Sequence, residues 1–177
     1  MTGRLRKGRA IAGNLVLALS ALADSAAAAQ TGASLEPSAR VRPVDTRAAA
    51  LVAAGIARSP TFRSLVEALE HSDLIVYVEI RPLRIPGQMQ LVASTPECRY
   101  LRVSVRTPGL DNHLVAWLAH ELMHAVEVSR APDVLDELGL RRLYDQIGRT
   151  GRYGNEAESA AAQQTWTTVL REMQNAR

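Results

Sequence analysis

The sequence is poor in cysteine and lysine, with Cys98 and Lys7 the only examples among its 177 residues. A single thiol excludes an intrachain disulfide bond and a zinc site built from several thiolates. Cys98 fits a small buried hydrophobe better than a nucleophile. With 47% hydrophobic and 22% charged residues, the chain is typical neither of disordered proteins nor of polytopic membrane proteins.

The chain beyond its N-terminal segment has no excess of positive charge, although the formal net charge is +3. Four of the 21 basic residues and one of the 18 acidic residues fall within residues 1–29, so 17 of each remain in residues 30–177. The four bases are Arg4, Arg6, Lys7 and Arg9. Because the remainder is neutral, we expect no nucleic-acid partner.

A hydrophobic run long enough to span a bilayer is also lacking at the N-terminus, where the apolar stretch covers only residues 11–23. This stretch follows the four bases and precedes residues 26–30, which offer an A-x-A-type cleavage site. The three-part order is typical of a secretory signal peptide. We therefore predict a signal peptide at residues 1–29, a secreted or periplasmic mature chain, and no stable membrane insertion after cleavage.

The mature chain is predicted to hold one domain. Residues 30–45 are small, polar and proline-containing, which favours a linker, and residues 46–177 form the domain. Capping residues and apolar periodicity predict five helices, at 46–57, 60–70, 111–129, 133–147 and 155–174. Apolar and alternating segments predict three strands, at 74–80, 88–93 and 101–106. This order predicts an α+β fold in which a small antiparallel sheet packs with helices.

The strongest chemical signal is the motif H-E-x-x-H at residues 120–124, inside a predicted helix. A spacing of four residues places His120 and His124 on one helical face, where both can bind one metal ion. Zn²⁺ suits imidazole and carboxylate ligands. Glu121 lies about 100° around the helix from His120, so it would flank the metal and could accept a proton from a water bound there.

The chain resembles zincin-like metallopeptidases of the glutamate type. The matching residues are 120–127, His-Glu-Leu-Met-His-Ala-Val-Glu, together with a downstream acidic segment at residues 156–161. The resemblance covers roughly residues 74–173 and extends to a group of uncharacterised secreted bacterial proteins. It implies a zincin-like fold with the motif on a central helix, peptidase activity, and a third ligand that is a glutamate on a helix after the motif.

Three glutamates are candidates for that third ligand. Glu158 is favoured because the small residues after it would allow a close approach to the motif helix, although Asn155 and Glu158 also fit a capping box. Glu156 would point about 200° away from Glu158 on a helix. Glu127 shares the face of the two histidines but lies about 10 Å along the axis from His120, so it fits better as a residue that orients His124 or pairs with an arginine, or as a surface acid.

Other residues carry weaker signals. His113 lies on the stripe of His120 but too far along the helix to share a metal, so a capping or surface role is favoured. Stabilising an oxyanion requires a nearby donor, and Tyr144, Arg152 and Tyr153 are the candidates in the sequence. The predicted strand at 101–106 could offer an edge to an extended peptide or could be an ordinary core strand.

These observations predict a secreted zinc-dependent hydrolase, favouring a peptidase that acts on peptides or proteins, with Glu121 as general base and His120, His124 and Glu158 as metal ligands. The alternative is an inactive zincin-like domain that binds a metal or a partner. The intact Glu121 argues for the enzyme, because metal binding alone does not require it. The sequence leaves the substrate and the oligomeric state open.

Overall fold

The computed structural model describes residues 38–150 and 157–176, which form an α+β arrangement. A four-stranded sheet holds β1 (Val41–Pro43), β2 (Leu74–Arg81), β3 (Gly87–Ser94) and β4 (Arg99–Arg106), in the order β1-β2-β4-β3. β2 runs parallel to both β1 and β4, and β3 runs antiparallel to β4. The prediction of an antiparallel sheet is therefore wrong, because the sheet is mixed.

The error arises from the connection between β2 and β3. Short links between successive strands normally favour neighbours in the sheet, but residues 82–86 carry the chain past the position of β4, a distance of two strand spacings or about 9.6 Å. β4 then enters between β2 and β3. The strand predicted at 101–106 is consequently interior, and β3 forms the sheet edge.

The described residues also form five helices, close to the predicted set. They are α1 (Thr46–Arg58), α2 (Pro60–Glu70), α3 (Asp111–Ser129), α4 (Glu137–Ile147) and α5 (Ala160–Asn175). Two short strands, β5 (Arg149–Thr150) and β6 (Ala157–Glu158), pair antiparallel between α4 and α5. Within the described residues, none of the helices combines the length and apolar character needed to cross a membrane.

Side-chain caps explain where the helices begin. Ser59 caps α2 with Pro60 in its first turn, as predicted. Asp45 rather than Thr46 caps α1, and α3 follows Leu110 without a side-chain cap. α4 and α5 start later than predicted, because Asp136 and Ser159 accept the first free backbone N–H groups of those helices. In addition, the segment predicted as a linker at 30–45 contains β1.

The core lies between one sheet face and the helices. The row Val41, Val76, Leu101 and Leu91 crosses all four strands in register and points towards them. The next row, Arg42, Tyr77, Arg102 and Gln90, faces the other way and is more exposed. This alternation is expected for a sheet covered on one face only, and it places α3 in the buried layer.

Arg99 fastens the C-terminal end of α3 to the sheet. Its side chain is 3% exposed and forms a two-bond ion pair with Asp73. Its Nη1 also donates to the carbonyl oxygens of Val128, Ala131 and Val134. These carbonyls lie at and just beyond the C-terminal end of α3, and two of them also accept backbone N–H groups of the following turns. Arg99 adds three further hydrogen bonds there, so it fixes the end of α3 relative to β4.

Candidate metal centre

The two motif histidines lie one turn apart on α3 with their rings directed towards a common point. Their Nε2 atoms are 3.2 Å apart, and each residue is 5% exposed. The prediction that they share one helical face is confirmed. In the preceding turn Trp117 packs edge-on against the His120 ring, with 5.3 Å between the ring centroids, which limits the orientations open to that ring.

Glu158 supplies a third atom to the same point. Its Oε1 lies 3.5 Å from Nε2 of His120 and 3.9 Å from Nε2 of His124. Zinc–nitrogen bonds of about 2.0–2.1 Å in a tetrahedral site would place two ligand nitrogens about 3.3 Å apart. Because the observed separations are close to this value, His120, His124 and Glu158 form a group that could hold a metal ion.

Glu158 reaches this position from β6 and not from a helix. Its carboxylate Oε1 accepts a hydrogen bond from the backbone N–H of Ser159 at 3.0 Å, and the side chain is 17% exposed. The capping-box interpretation of Glu158 is wrong, because α5 begins two residues later under the Ser159 cap. Glu156, Arg152 and Tyr153 lie outside the described residues.

Glu121 lies beside the metal group and against the sheet edge. It is 5% exposed, and a Cβ atom on Gly87 would overlap its carboxylate and lie 2.9 Å from its Cγ. Only glycine at the start of β3 leaves room for this carboxylate. Sequence reasoning did not identify Gly87, since no local pattern links a strand residue to a helix that begins more than twenty positions later.

Glu127 contacts His124 and does not join the three-atom group. Its Oε2 lies 2.9 Å from Nδ1 of His124 and also accepts a hydrogen bond from the Tyr144 hydroxyl at 3.3 Å. Its Oε1 accepts from the Ser159 hydroxyl at 2.5 Å. The prediction that Glu127 orients His124 agrees with this geometry. Ser159 was missed, although a serine before three alanines is a recognisable helix cap.

Burial and neighbouring charges set the protonation of these groups. Burial, helped by the proximity of His124, lowers the pKa of His120 to about 4, so the ring is uncharged at neutral pH and has one nitrogen lone pair free to bind a metal. Burial alone would lower the pKa of His124, but the hydrogen bond to Glu127 and the nearby carboxylates raise it. Burial would raise the pKa of Glu127, but bonds from His124, Ser159 and Tyr144 lower it.

Of the remaining sequence candidates, Tyr144 lies beside the metal group, with its ring edge-on to that of His124 at 5.3 Å between centroids, whereas His113 and Cys98 make their contacts elsewhere. Burial raises the pKa of Tyr144 far above its usual value, so its hydroxyl keeps its proton and donates to Glu127. His113 is half-buried, 6.4 Å from Trp166 between ring centroids, which fits its predicted role outside the metal site. Cys98 is half-buried and its Sγ accepts a weak bond from Arg40 at 3.5 Å.

No protein-family model matches the chain, and neither a curated protein nor a solved structure is significantly similar to it. The interpretation of the centre therefore depends on its own geometry and donor set.

Proposed function

We propose that the protein is a zinc-dependent hydrolase of the zincin-like class, acting as a peptidase. The observation that carries this proposal is the convergence of two imidazole Nε2 atoms and one carboxylate oxygen beside a further buried carboxylate, Glu121. Two nitrogens and one oxygen are a donor set that zinc accepts, with a fourth position left for substrate or water. A purely structural zinc site would be closed by a fourth protein ligand.

The residues then divide the work. His120, His124 and Glu158 would hold the zinc ion, which when bound would supply Lewis-acid polarisation of a carbonyl and a lowered pKa of water. Glu121 would act as the general base that accepts a proton from the attacking water and returns it to the leaving amine. Its buried position against Gly87 keeps the carboxylate in one orientation, which general-base catalysis requires.

The edge of the sheet supports a peptide as the substrate. β3 is paired on one side by β4, and no other described strand pairs with its outer side. An extended peptide can add to such an edge through backbone hydrogen bonds. Because Gly87 begins this strand and lies against Glu121, a peptide aligned on β3 would pass the general base. We propose that this occurs outside the cytoplasm, after removal of residues 1–29.

Two measurements on the purified mature protein test the proposal. Elemental analysis should find about one zinc per chain, and a protein that refuses zinc would contradict the metal site. A fluorogenic peptide library should then reveal hydrolysis that Glu121→Gln removes, by a factor of at least about 10², with zinc content unchanged. Zinc binding without turnover of any peptide would favour the inactive, metal-binding domain instead.

A further inference from the structure

We propose that Glu127 is a positioning residue that holds two of the three metal ligands in place, His124 directly and Glu158 through Ser159, before the ion binds. The proposal rests on the metal site of the proposed function. It assigns to one buried carboxylate the task of joining the ligands of α3 to the ligand of β6.

Glu127 contacts the ring of His124 directly. Glu127 Oε2 lies 2.9 Å from Nδ1 of His124, and an ionised carboxylate can only accept hydrogen bonds. Nδ1 therefore carries the proton and Nε2 is the atom left for the metal. Nε2 is indeed the atom that faces His120 and Glu158. Glu127 thus fixes both the rotation of the ring and the nitrogen that it presents.

Glu127 is also linked to Glu158 through Ser159. The other oxygen of Glu127 accepts a hydrogen bond from the Ser159 hydroxyl at 2.5 Å. That hydroxyl in turn accepts the backbone N–H of Ala162, and the backbone N–H of Ser159 donates to Glu158 Oε1 at 3.0 Å. One carboxylate on α3 therefore fixes the start of α5, and with it the residue directly before, which is the third ligand.

The environment of Glu127 argues against a purely structural role. The residue is 9% exposed between the apolar Val126 and Val128, where an apolar side chain would pack without the cost of burying a charge. Glu127 receives bonds from three different elements, namely α3, α4 and the Ser159 cap of α5. This arrangement suits a group that fixes geometry at a site. His124 and His120 differ in this respect. Glu127 contacts Nδ1 of His124, whereas the buried Nδ1 of His120 has no hydrogen bond of normal geometry among the described residues.

The test measures zinc affinity by competition with a chromophoric chelator, for the wild-type protein and for Glu127→Gln and Glu127→Ala. We expect both variants to bind zinc about 10–100-fold more weakly, as found for partners of metal-ligating histidines, and their Co²⁺ forms to show altered visible spectra. Wild-type affinity and an unchanged Co²⁺ spectrum in both variants would overturn the proposal while leaving the proposed function intact.

Glu172→Gln is the matched control. Glu172 also lies on an element junction, where it accepts bonds from the Thr61 hydroxyl at 2.8 Å and the Thr61 backbone N–H at 3.2 Å. Neither of these contacts involves a residue of the metal group. Glu172→Gln should therefore lower the unfolding midpoint but leave zinc affinity within about twofold of wild type, in contrast to the roughly 10–100-fold loss expected for the Glu127 variants. An equal loss of zinc affinity in Glu172→Gln would mean that general destabilisation explains the Glu127 variants, and would overturn the proposal.

Two further measurements test the contact with His124 and the link to Glu158 separately. In the metal-free protein, the Nδ1 proton of His124 should exchange slowly with water by NMR, and rapidly in Glu127→Ala, an outcome that does not depend on zinc. Equally rapid exchange in the wild type would overturn the contact with His124. For the link to Glu158, the double variant Glu127→Gln/Ser159→Ala is compared with the two single variants. Its fold-loss of zinc affinity should be smaller than the product of the two single fold-losses. A full product would show that Ser159 does not act with Glu127.

Discussion

α3 and the segment around β6 contribute to the same centre in different ways. α3 is a 19-residue helix that carries His120, Glu121 and His124 in one buried stretch, so helical geometry alone sets their relative positions. β6 has only two residues, the second of which is Glu158. The next residue, Ser159, caps α5, donates its hydroxyl to Glu127 and donates its backbone N–H to Glu158, which holds Glu158 near the histidines. The comparison teaches that ligands within one element depend on spacing, whereas a ligand from another element depends on contacts made by its neighbours.

The largest effect is expected on the α3 side. His124→Ala removes a ligand and leaves the Glu127 carboxylate without its histidine, so zinc binding should fall below detection by chelator competition. This loss should exceed the roughly 10–100-fold typical of residues that only contact a ligand. His71→Ala is the control, because His71 is exposed at the end of α2. Retention of tight zinc binding by His124→Ala would contradict the assignment of the centre.

The second prediction concerns the β6 side. Glu158→Ala should weaken zinc binding by more than about 100-fold, the upper range for residues that do not touch the metal, but less than His124→Ala because the histidine pair remains. Glu156→Ala is the control and should have a small effect on zinc affinity. The reverse order of these two glutamates, measured by the same chelator competition, would move the third ligand to Glu156.

The third prediction tests the attachment of α3 to the sheet. Arg99→Ala removes three hydrogen bonds to carbonyl groups at and just beyond the end of α3 and breaks the ion pair with Asp73. We expect the free energy of unfolding to fall by about 3 kcal/mol, measured by urea denaturation. Arg102→Ala on the same strand is exposed and should change stability by less than about 0.5 kcal/mol. Equal effects would show that the buried bonds of Arg99 contribute little.

The smallest effect is expected at the contact between α3 and the sheet edge. Gly87→Ala places a methyl group where the Glu121 carboxylate lies, so the general base must shift. Since a misplacement of 1 Å can cost about 10²-fold in rate, a partial shift should lower kcat about tenfold with zinc content unchanged. Gln88→Ala, the next residue of β3, is the control. Unchanged turnover in Gly87→Ala would show that the position of Glu121 tolerates displacement.

The contrast between the two regions also explains how far sequence reasoning succeeded. The motif helix and the shared face of His120 and His124 follow from a local period, so they were predicted. The N-terminus of α5 was not, because a serine and an asparagine upstream of the same helix both satisfy the rule for a cap. The position of Glu158 depended on that choice, so its proximity to the histidines was predicted but its place in β6 was not.

The order of strands was the other limit. Alternation in β4 identifies which side chains face the core, but it contains no information on which strand lies on either side. The sequence pattern therefore predicted neither the interior position of residues 101–106 nor the edge position of β3. The contact between Gly87 and Glu121 depends on that order and on the packing of α3 against β3, which is why no local pattern in the sequence indicated it.

The chain order of the ligands has a consequence for biosynthesis. The two histidines are translated well before Glu158, because α4 lies between α3 and β6 in the chain. A nascent chain that ends after α3 carries two ligands and a Glu127 carboxylate that still lacks the donors from Tyr144 and Ser159. It also lacks Val169 and Met173 of α5, which complete the core. If this group holds a metal ion as proposed, a chain that ends before Glu158 has only two of the three ligands, so a prematurely terminated product should retain the ion more weakly.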